Sequence, residues 1–457
     1  MTPSSTDPSD IQSALARSIG LAAFVYGYPL VETFRTCRKQ TVMTDVDAPT
    51  SNVSNARLPM NTLHHVTRPS THEDRDIVTP SNDLLYTLAW IHLADGPMLF
   101  KLPSSRQHGN RYYVMALYDA YTENFENLGP RNVDAEGETV LLLGPGGKVP
   151  ESLKHLRVVH CPSNLVWLIG RILVGDQPDW AAARALQADI ALTAGFERDA
   201  QALPRAIGNW VGEPIDAMAA VHEKLQSASH AAPVFFTNLC QSLREAGGRI
   251  EDAGLVAWFG QVGLVATEHF RWDGLEESVR LGLTQGFADA VELVGAVGGR
   301  RRPKPWAVTR ATGRYGQKYL NRARTAYLGL GALATSEAIY AVSHCDSRLE
   351  PLNGERTYHL RFNAGDKPPV DAFWSVTMYD ADRFLYGNDA QRHSIGDRTP
   401  GLQYQSDGGL VIEIGSKRPT RVNNWLPAPA GPFYLILRMY HPQDGVLSWK
   451  IPPLEAA

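Results

Sequence analysis

YYVMALYDAYTENFENLGPR at residues 112–131 and FWSVTMYDADRFLYGNDAQR at residues 373–392 are two copies of one segment. They align without a gap, and the identical pairs are Tyr118/Tyr379, Asp119/Asp380, Ala120/Ala381, Asn127/Asn388 and Arg131/Arg392. Downstream, GETVLLLG (137–144) resembles GGLVIEIG (408–415), and VWLIGRIL (166–173) resembles FYLILRMY (433–440), which aligns Arg171 with Arg438. Similar segments repeated in the same order predict a duplicated β unit.

The composition is that of an ordinary globular protein, with 44% apolar and 20% charged residues in a chain of 457. The formal net charge of −4 provides no overall attraction to nucleic acid or to an anionic membrane, so neither is expected as a partner. A small-molecule substrate is the expected partner, and the composition leaves a homo-oligomer open.

The cysteines and the N-terminus point to a cytoplasmic location. Four cysteines without C-x-x-C spacing predict reduced thiols rather than a disulfide framework. The polar, acidic N-terminus lacks the features of a secretory signal. No uninterrupted apolar run reaches the roughly 20 residues of a membrane span.

The predicted order of elements is helix, β half, helical middle, β half. A helix is predicted over residues 10–40 with a break at Gly27 and Pro29, and short antiparallel strands are predicted from residue 77 onward. Helical periodicity marks the segments 178–196, 214–226, 233–247 and 275–295, and SEAIYAV (336–342) predicts a last short helix.

These elements predict an α+β multidomain fold, with two related antiparallel β-sandwich-like domains and a helical segment inserted between them. The predicted boundaries are 1–50 for an N-terminal helical segment, 51–177 for the first β domain, 178–345 for the helical middle and 346–457 for the second β domain.

Established catalytic motifs are missing from the sequence, which has no G-x-S-x-G, H-E-x-x-H, Walker loop or dinucleotide-binding glycine motif. The glycines of Gly144–Gly147 precede more strand, so a hairpin turn is favoured over a phosphate site. His64, His65 and His72 share one polar segment, but their spacing matches no metal-ligand motif. Neither a metal nor an organic cofactor is expected.

The candidate site consists of polar aromatic, amide and carboxylate side chains at predicted turns and strand ends. We expect them to converge on a pocket between the two β domains, because domain interfaces are where such pockets form. Tyr28 is the candidate oxyanion donor and Asp83 the candidate acid–base group. The expected substrate-binding residues are Tyr26, Asn82, Tyr86, Tyr113, Trp374 and Trp425.

A structural role competes with this interpretation, since paired aromatics often form cores and tyrosine hydroxyls often bond to the backbone. Residues present in both copies, such as Asp119/Asp380 and Arg131/Arg392, are expected to serve the fold. Residues found in only one copy are favoured for function, and Asn82, Asp83 and Tyr86 are counted among them.

Several motifs together resemble a bacterial family built from two domains of unknown function, numbered 1254 (N-terminal) and 1214 (C-terminal). The motifs are YGYPL (26–30), PSNDLLYTLAW (80–90), RYYVMALYDAYTENFENLG (111–129), GLGA (329–332), AFWSVTMYD (372–380), NWLPAP (424–429) and LRMYHP (437–442). The resemblance runs from about residue 20 to the C-terminus. It implies two β-rich domains with helices between or beside them, and it implies little about chemistry.

Two features depart from the family pattern. Many members carry an export signal, which this sequence does not show. The Gly-Arg-Thr turn common in the family is replaced here by Gly129-Pro130-Arg131-Asn132, so no role for a threonine hydroxyl is transferred.

Two functional hypotheses follow. The favoured one is a cofactor-independent enzyme of hydrolase or lyase type, which acts on a small organic molecule between the β domains by Tyr/Asp acid–base chemistry. The alternative is a non-catalytic protein that binds a small molecule or glycan, and a structural or assembly role ranks third. A tyrosine and a carboxylate within hydrogen-bond reach in a deep cleft would favour catalysis, whereas a shallow aromatic groove would favour binding.

Overall fold

The structure is a computed structural model that describes residues 7–41, 59–75, 79–196, 224–296 and 303–457. The described helices are α1 (Pro8–Thr41), α2 (Trp180–Ala188), α3 (Lys224–Ala246), α4 (Ala253–Phe259), α5 (Glu277–Gly295) and α6 (Tyr319–Leu328). The strands of the first half are β1 (His64–His65), β2 (Leu84–His92), β3 (Met98–Leu102), β4 (Tyr113–Asp119), β5 (Asn124–Leu128), β6 (Glu138–Leu143), β7 (Arg157–His160), β8 (Leu165–Leu173) and β9 (Ala191–Ala194). Those of the second half are β10 (Ala307–Val308), β11 (Ala338–Ser343), β12 (Tyr358–Phe362), β13 (Val370–Asp380), β14 (Ser394–Gly396), β15 (Leu410–Gly415), β16 (Trp425–Pro427), β17 (Phe433–Pro442) and β18 (Leu454–Ala456).

The strands form four sheets that repeat one arrangement twice. The first half has a five-stranded sheet, β1-β2-β8-β4-β5, and a four-stranded sheet, β7-β6-β3-β9. The second half has the matching sheets β10-β11-β17-β13-β14 and β16-β15-β12-β18. The parallel pairs, β6–β7 and β15–β16, occupy corresponding places. In each half the two sheets enclose a hydrophobic core, so the predicted pair of related β-sandwich domains with helices between them is confirmed.

The turns that follow β4 and β13 also match. The Asp119 carboxylate accepts a hydrogen bond from the backbone N–H of Glu123, and that of Asp380 accepts one from Phe384, both at 2.9 Å. The residue before each donor has a positive φ, 65° in the first turn and 71° in the second. The two duplicated aspartates therefore fix the same turn, as expected of residues that serve the fold.

The predicted break in the first helix is wrong, because α1 continues through Gly27 and Pro29 to Thr41. Every residue from Ala23 to Phe34 is buried, and this packing outweighs the hydrogen bond that proline cannot donate. A Cβ at Gly27 would lie 2.3 Å from the Leu239 side chain, so glycine permits the close approach of α3.

α1 is also the one described helix that is long and apolar enough to span a membrane. Of its most apolar window, 67% is buried inside the protein, where it packs mainly against α5. Core helices meet the same criterion, so the expectation of no membrane partner stays a prediction.

The helices α1, α3, α5 and α6 share one core with the outer face of the first five-stranded sheet. Within residues 178–300 of the predicted helical middle, which runs to 345, the described residues form α2, α3, α4 and α5 and a single strand, β9. The predicted helical segment 214–226 lies mostly outside the described residues. The predominance of helix in this region agrees with the prediction where it is described.

Two shorter predictions are wrong. The helical prediction for 178–196 holds only to Ala188, because Ala191–Ala194 pairs with β3 at the edge of a sheet. SEAIYAV forms strand β11 rather than a helix, and β11 pairs with β10 and β17. In both places sheet pairing with a distant segment overrides local helix propensity.

These strands also bear on the domain limits drawn from the sequence. Side chains of α2 pack in the first sandwich core, and β9 extends its four-stranded sheet, although both lie beyond residue 177. β10 and β11 extend a sheet of the second half, although both lie before residue 346. Each sandwich thus draws strands from beyond the limits predicted for it.

Candidate functional site

Asp83 joins the two β domains. It precedes β2 and is 8% exposed. Its carboxylate accepts hydrogen bonds from Ser375 Oγ at 2.7 Å and Ser394 Oγ at 3.1 Å, both in the second domain, and from its neighbour Ser81 at 3.3 Å. The carboxylate is therefore held by hydroxyl donors from both domains.

Glu337 occupies the corresponding place in the second half. It lies three residues before Tyr340, as Asp83 lies three residues before Tyr86. Its carboxylate accepts a hydrogen bond from Tyr112 Oη at 2.8 Å and forms a short contact with Arg131, both in the first domain. The ring of His441 lies 3.0 Å away. Each half thus extends one carboxylate into the other half.

Two arginines occupy equivalent positions at the centres of the two five-stranded sheets. Arg171 on β8 pairs across strands with Tyr86 on β2, and Arg438 on β17 pairs with Tyr340 on β11. On the other side, Arg171 pairs with Val114 on β4 and Arg438 pairs with Ser375 on β13. Val114 and Ser375 are as far apart in the sequence as the identical pair Tyr118 and Tyr379. Tyr86 therefore has a counterpart, and its assignment to a single copy is wrong.

Both guanidinium groups are buried and bond only to neutral oxygens. Arg171 is 8% exposed and donates to the Gly331 carbonyl at 3.0 Å, to the Ile169 carbonyl and to a tyrosine hydroxyl. Arg438 is 4% exposed and donates to the Thr79 carbonyl at 3.0 Å, to Thr377 Oγ1 and to a second tyrosine hydroxyl. No carboxylate of the described residues forms an ion pair with either group.

Both arginines stay charged despite their burial. Burial acts to lower the pKa of Arg171 and of Arg438, but the electrostatic effect of the surrounding oxygens raises both overall, and for Arg438 these oxygens include the Asp83 carboxylate. Tyr340 and Tyr440 act on both arginines. Burial raises the pKa of Tyr86 despite both arginines, so its hydroxyl stays protonated at neutral pH.

We call Arg171, Arg438, Tyr86, Tyr340 and Tyr440 the interdomain site. Tyr86 and Tyr340 are half-buried, so both keep some surface that solvent can reach. The hydroxyls of Tyr340 and Tyr440 have no hydrogen-bond partner among the described residues. Each guanidinium uses three of its five donors on protein oxygens, which leaves donors for a ligand. Two cations beside phenolic hydroxyls can stabilise negative charge on a small molecule.

The predicted site residues do not converge on one pocket, and the structure brings only part of the set to the domain interface. Asp83 lies at that interface, Tyr86 belongs to the interdomain site, and Asn82 adjoins Asp83 in the chain with a buried Oδ1 that has no partner among the described residues. Tyr26 and Tyr28 lie on α1 in the helical core.

The other three predicted residues serve the sandwiches. The Tyr113 hydroxyl donates to the Pro103 carbonyl in the first core, and Trp374 packs in the second core. Trp425 is buried on β16, and its Nε1 donates to the Gly415 carbonyl. The expected single pocket fails because alternate residues of a strand face opposite sides of its sheet. The catalytic roles of Tyr28 and Asp83 stay predictions.

Tyr26 belongs to a second buried polar group, centred on Arg322. Arg322 is fully buried, and its guanidinium lies over the rings of Tyr26, Tyr121 and Tyr319 at 5.4, 5.5 and 5.4 Å. Its nearest carboxylate, that of Glu123, is 3.6 Å away, and its nitrogens have no hydrogen-bond partner among the described residues. This group connects α1 and α6 to the turn after β4, which indicates a structural role.

A cavity of about 460 Å³ lies between α1, α4, α5 and α6 beside Tyr319. Its lining is mainly apolar and consists of Leu21, Ala22, Val25, Leu255, Leu293, Gln317, Lys318, Tyr319, Leu320 and Asn321. It contains no carboxylate, so it is a weaker candidate for acid–base chemistry than the interdomain site. In the part of the chain that the structure describes, no group of three or more His, Cys, Asp or Glu residues has metal-binding geometry.

Sequence reasoning missed Tyr340, Tyr440 and Glu337 as site residues and treated Arg171 and Arg438 only as parts of the repeat. One signal was available, since an arginine interrupts an apolar strand at the same place in both copies. Lys and Arg are rarely buried without a partner, so a charge kept twice in a core strand points to a shared polar site.

The fold and this site define an internally duplicated β-sandwich protein with a cationic site between its halves. Family models agree with that description. Residues 60–194 match "Protein of unknown function (DUF1254)", and residues 337–444 match "Protein of unknown function (DUF1214)". Together they cover more than half of the chain, which belongs to the family that joins these two domains.

A solved structure shares the fold. The VPA0106 protein from Vibrio parahaemolyticus has a TM-score of 0.71 and 22% sequence identity, with 97% of this chain and 100% of that chain covered. An uncharacterized protein from Burkholderia cenocepacia has a TM-score of 0.44 and 12% identity, with coverages of 97% and 94%. None of the curated proteins compared with this chain matches it.

Proposed function

We propose that this protein is a cofactor-independent enzyme of hydrolase or lyase type that acts on a small organic molecule at the interdomain site. The observation that carries the proposal is the pair of buried arginines, Arg171 and Arg438, which form no ion pair with a carboxylate of the described residues. A buried cation without an ion-pair partner is costly, and perturbed buried charges cluster at functional sites.

Arg171 and Arg438 would stabilise negative charge that develops on the substrate. They are fixed by backbone carbonyls, so little reorganisation is needed when that charge appears. Tyr340 is the favoured hydroxyl donor, because its hydroxyl has no partner among the described residues and its ring is half-buried. This assignment replaces Tyr28, which lies in the helical core, as the proposed oxyanion donor.

The alternative is a non-catalytic protein that binds a small organic molecule at the same residues. One observation favours it. Three serine hydroxyls already donate to Asp83, which leaves its carboxylate less available as the acid–base group of a reaction. The two functions share a ligand site and differ in turnover.

Untargeted mass spectrometry tests the choice. The purified protein is incubated with a pool of cell metabolites, and metabolite levels are also compared between a deletion strain and its parent. The enzyme proposal predicts that one compound is consumed and that Tyr340→Phe lowers its turnover roughly 10²-fold with little change in KM, the usual cost of one oxyanion donor. The matched control is Tyr327→Phe, an exposed tyrosine on α6. Binding without consumption of any compound would support the alternative.

A further inference from the structure

The two halves of the interdomain site present the same cationic unit. In each half, a tyrosine and an arginine pair across neighbouring strands, Tyr86 with Arg171 and Tyr340 with Arg438. Arg171 donates to the carbonyl of Gly331, which precedes β11 in the second half. Arg438 donates to the carbonyl of Thr79, which precedes β2 in the first half. A ligand therefore meets two similar positive groups, one on each domain.

Further tyrosine hydroxyls make the two units alike in detail. Tyr118 Oη donates to the Gly331 carbonyl at 2.9 Å, and Arg171 bonds to both of these oxygens. In the second half, Tyr379 is hydrogen-bonded both to Arg438 and to the Pro80 carbonyl. Each guanidinium thus rests on a tyrosine hydroxyl and a main-chain oxygen, and its remaining donors are free to bind a ligand.

The carboxylates nearest to this site are already committed. Three serine hydroxyls donate to Asp83. Glu337 binds Tyr112, Arg131 and His441. Neither carboxylate forms an ion pair with Arg171 or Arg438, although the charge of Asp83 acts on Arg438 from a greater distance, so both guanidinium groups can still pair directly with a ligand.

We infer that the natural ligand is a small dicarboxylate, with one carboxylate on Arg171, the other on Arg438, and the carbon chain between the tyrosine rings. A single carboxylate would form an ion pair with only one of the two buried guanidinium groups, whereas two carboxylates can pair with both. Planar guanidinium groups also match carboxylates in geometry. The inference rests on the proposed function, because it names the ligand class of the same site.

Isothermal titration at constant ionic strength tests the inference with probes of known length. Succinate, glutarate and adipate are compared with butyrate, pentanoate and hexanoate, which have the same chains and one carboxylate. We expect at least one dicarboxylate to bind 10-fold or more tightly than its monocarboxylate. Because the distance between the two guanidinium groups is fixed, affinity should peak at one chain length.

Single substitutions assign the two carboxylates. Arg171→Gln and Arg438→Gln should each reduce the best dicarboxylate to the affinity of its monocarboxylate, and the exposed control Arg418→Gln should change nothing. Arg171→Lys and Arg438→Lys keep the charge and should retain part of the preference. These lysine variants maintain the test if a glutamine variant fails to fold.

Each other outcome has a distinct meaning. Equal binding of mono- and dicarboxylates, lost together in either glutamine variant, would overturn the dicarboxylate and leave a site for one anion. Dicarboxylate binding unaffected by both glutamine variants, or no binding of any probe, would overturn the inference. Tight dicarboxylate binding with no turnover of any compound would overturn the enzyme proposal and leave the ligand class standing.

Discussion

Replacing Asp83 tests whether its carboxylate holds the two β domains together. Ser375 and Ser394 of the second domain donate to it at 2.7 and 3.1 Å. A hydrogen bond to a charged group contributes about 1.5–3 kcal/mol. Asp83→Ala removes both interdomain bonds and should lower the free energy of unfolding by about 3–5 kcal/mol. Asp83→Asn keeps one acceptor oxygen and should cost about half as much.

Urea denaturation followed by circular dichroism measures these changes. The matched control is Asp389→Ala, since Asp389 is exposed and makes no hydrogen bond within the described residues. A double-mutant cycle adds Ser375→Ala and Ser394→Ala together, and these should cost little once Asp83 is already alanine. If Asp83→Ala unfolds like the Asp389 control, or if the serine and aspartate costs add in full, Asp83 does not join the domains.

Three further predictions follow from single contacts. Gly396→Ala should destabilise the second domain, because a Cβ there would lie 2.1 Å from the Trp374 carbonyl oxygen. The control is Gly431→Ala, whose Cβ would meet nothing within 4 Å. Equal urea midpoints for the two variants would contradict the prediction. Burial raises the pKa of Asp119 to about 6, above its value in the unfolded chain. The native protein therefore binds an extra proton between about pH 4 and pH 6, and the contribution of Asp119 to stability falls as the pH rises through that range. Asp119→Asn should remove this part of the dependence of unfolding free energy on pH, and an unchanged dependence would contradict the prediction. All four cysteines are buried and free, so 5,5′-dithiobis(2-nitrobenzoic acid) should react with them slowly in the native protein and release four equivalents in urea, whereas fast native reaction would contradict the burial.

The duplicated fold was predictable from the sequence because residues at corresponding places in the two sheets are separated by a constant number of residues along the chain. The pairings of β4 with β8 and of β13 with β17 align Val114 with Ser375, at the same offset as Tyr118 and Tyr379. A repeat that is visible in the sequence therefore reports corresponding hydrogen-bonded positions. The order of helical and β segments followed for the same reason, since periodicity is a local property.

Strand β11 and helix α1 show where local reasoning fails. In β11, Ile339 and Ala341 face the core, whereas Tyr340 faces the opposite side of the sheet. This alternating pattern covers so few residues that the local sequence does not distinguish it from a short helix. Pairing with β17, almost a hundred residues away, decides its structure. The continuity of α1 through Pro29 likewise depends on the surrounding helices.

The candidate site was predictable only in part for a geometric reason. The sequence located Asp83 and Tyr86, and the structure places Asp83 at the domain interface and Tyr86 beside both arginines. The sequence did not show which face of each strand points toward the other domain. Tyr113 and Trp374 therefore lie in the two sandwich cores, although each follows a residue on the interface side of its strand.

The central claim is that the arginines of the two halves form one anion site, and anomalous diffraction from bromide-soaked crystals tests it most directly. Bromide is small and selects no particular organic ligand. We predict a bromide peak within hydrogen-bond distance of Arg171 or Arg438, and we predict that succinate in the soak displaces it. Bromide peaks elsewhere on the protein and none at either guanidinium would contradict the account.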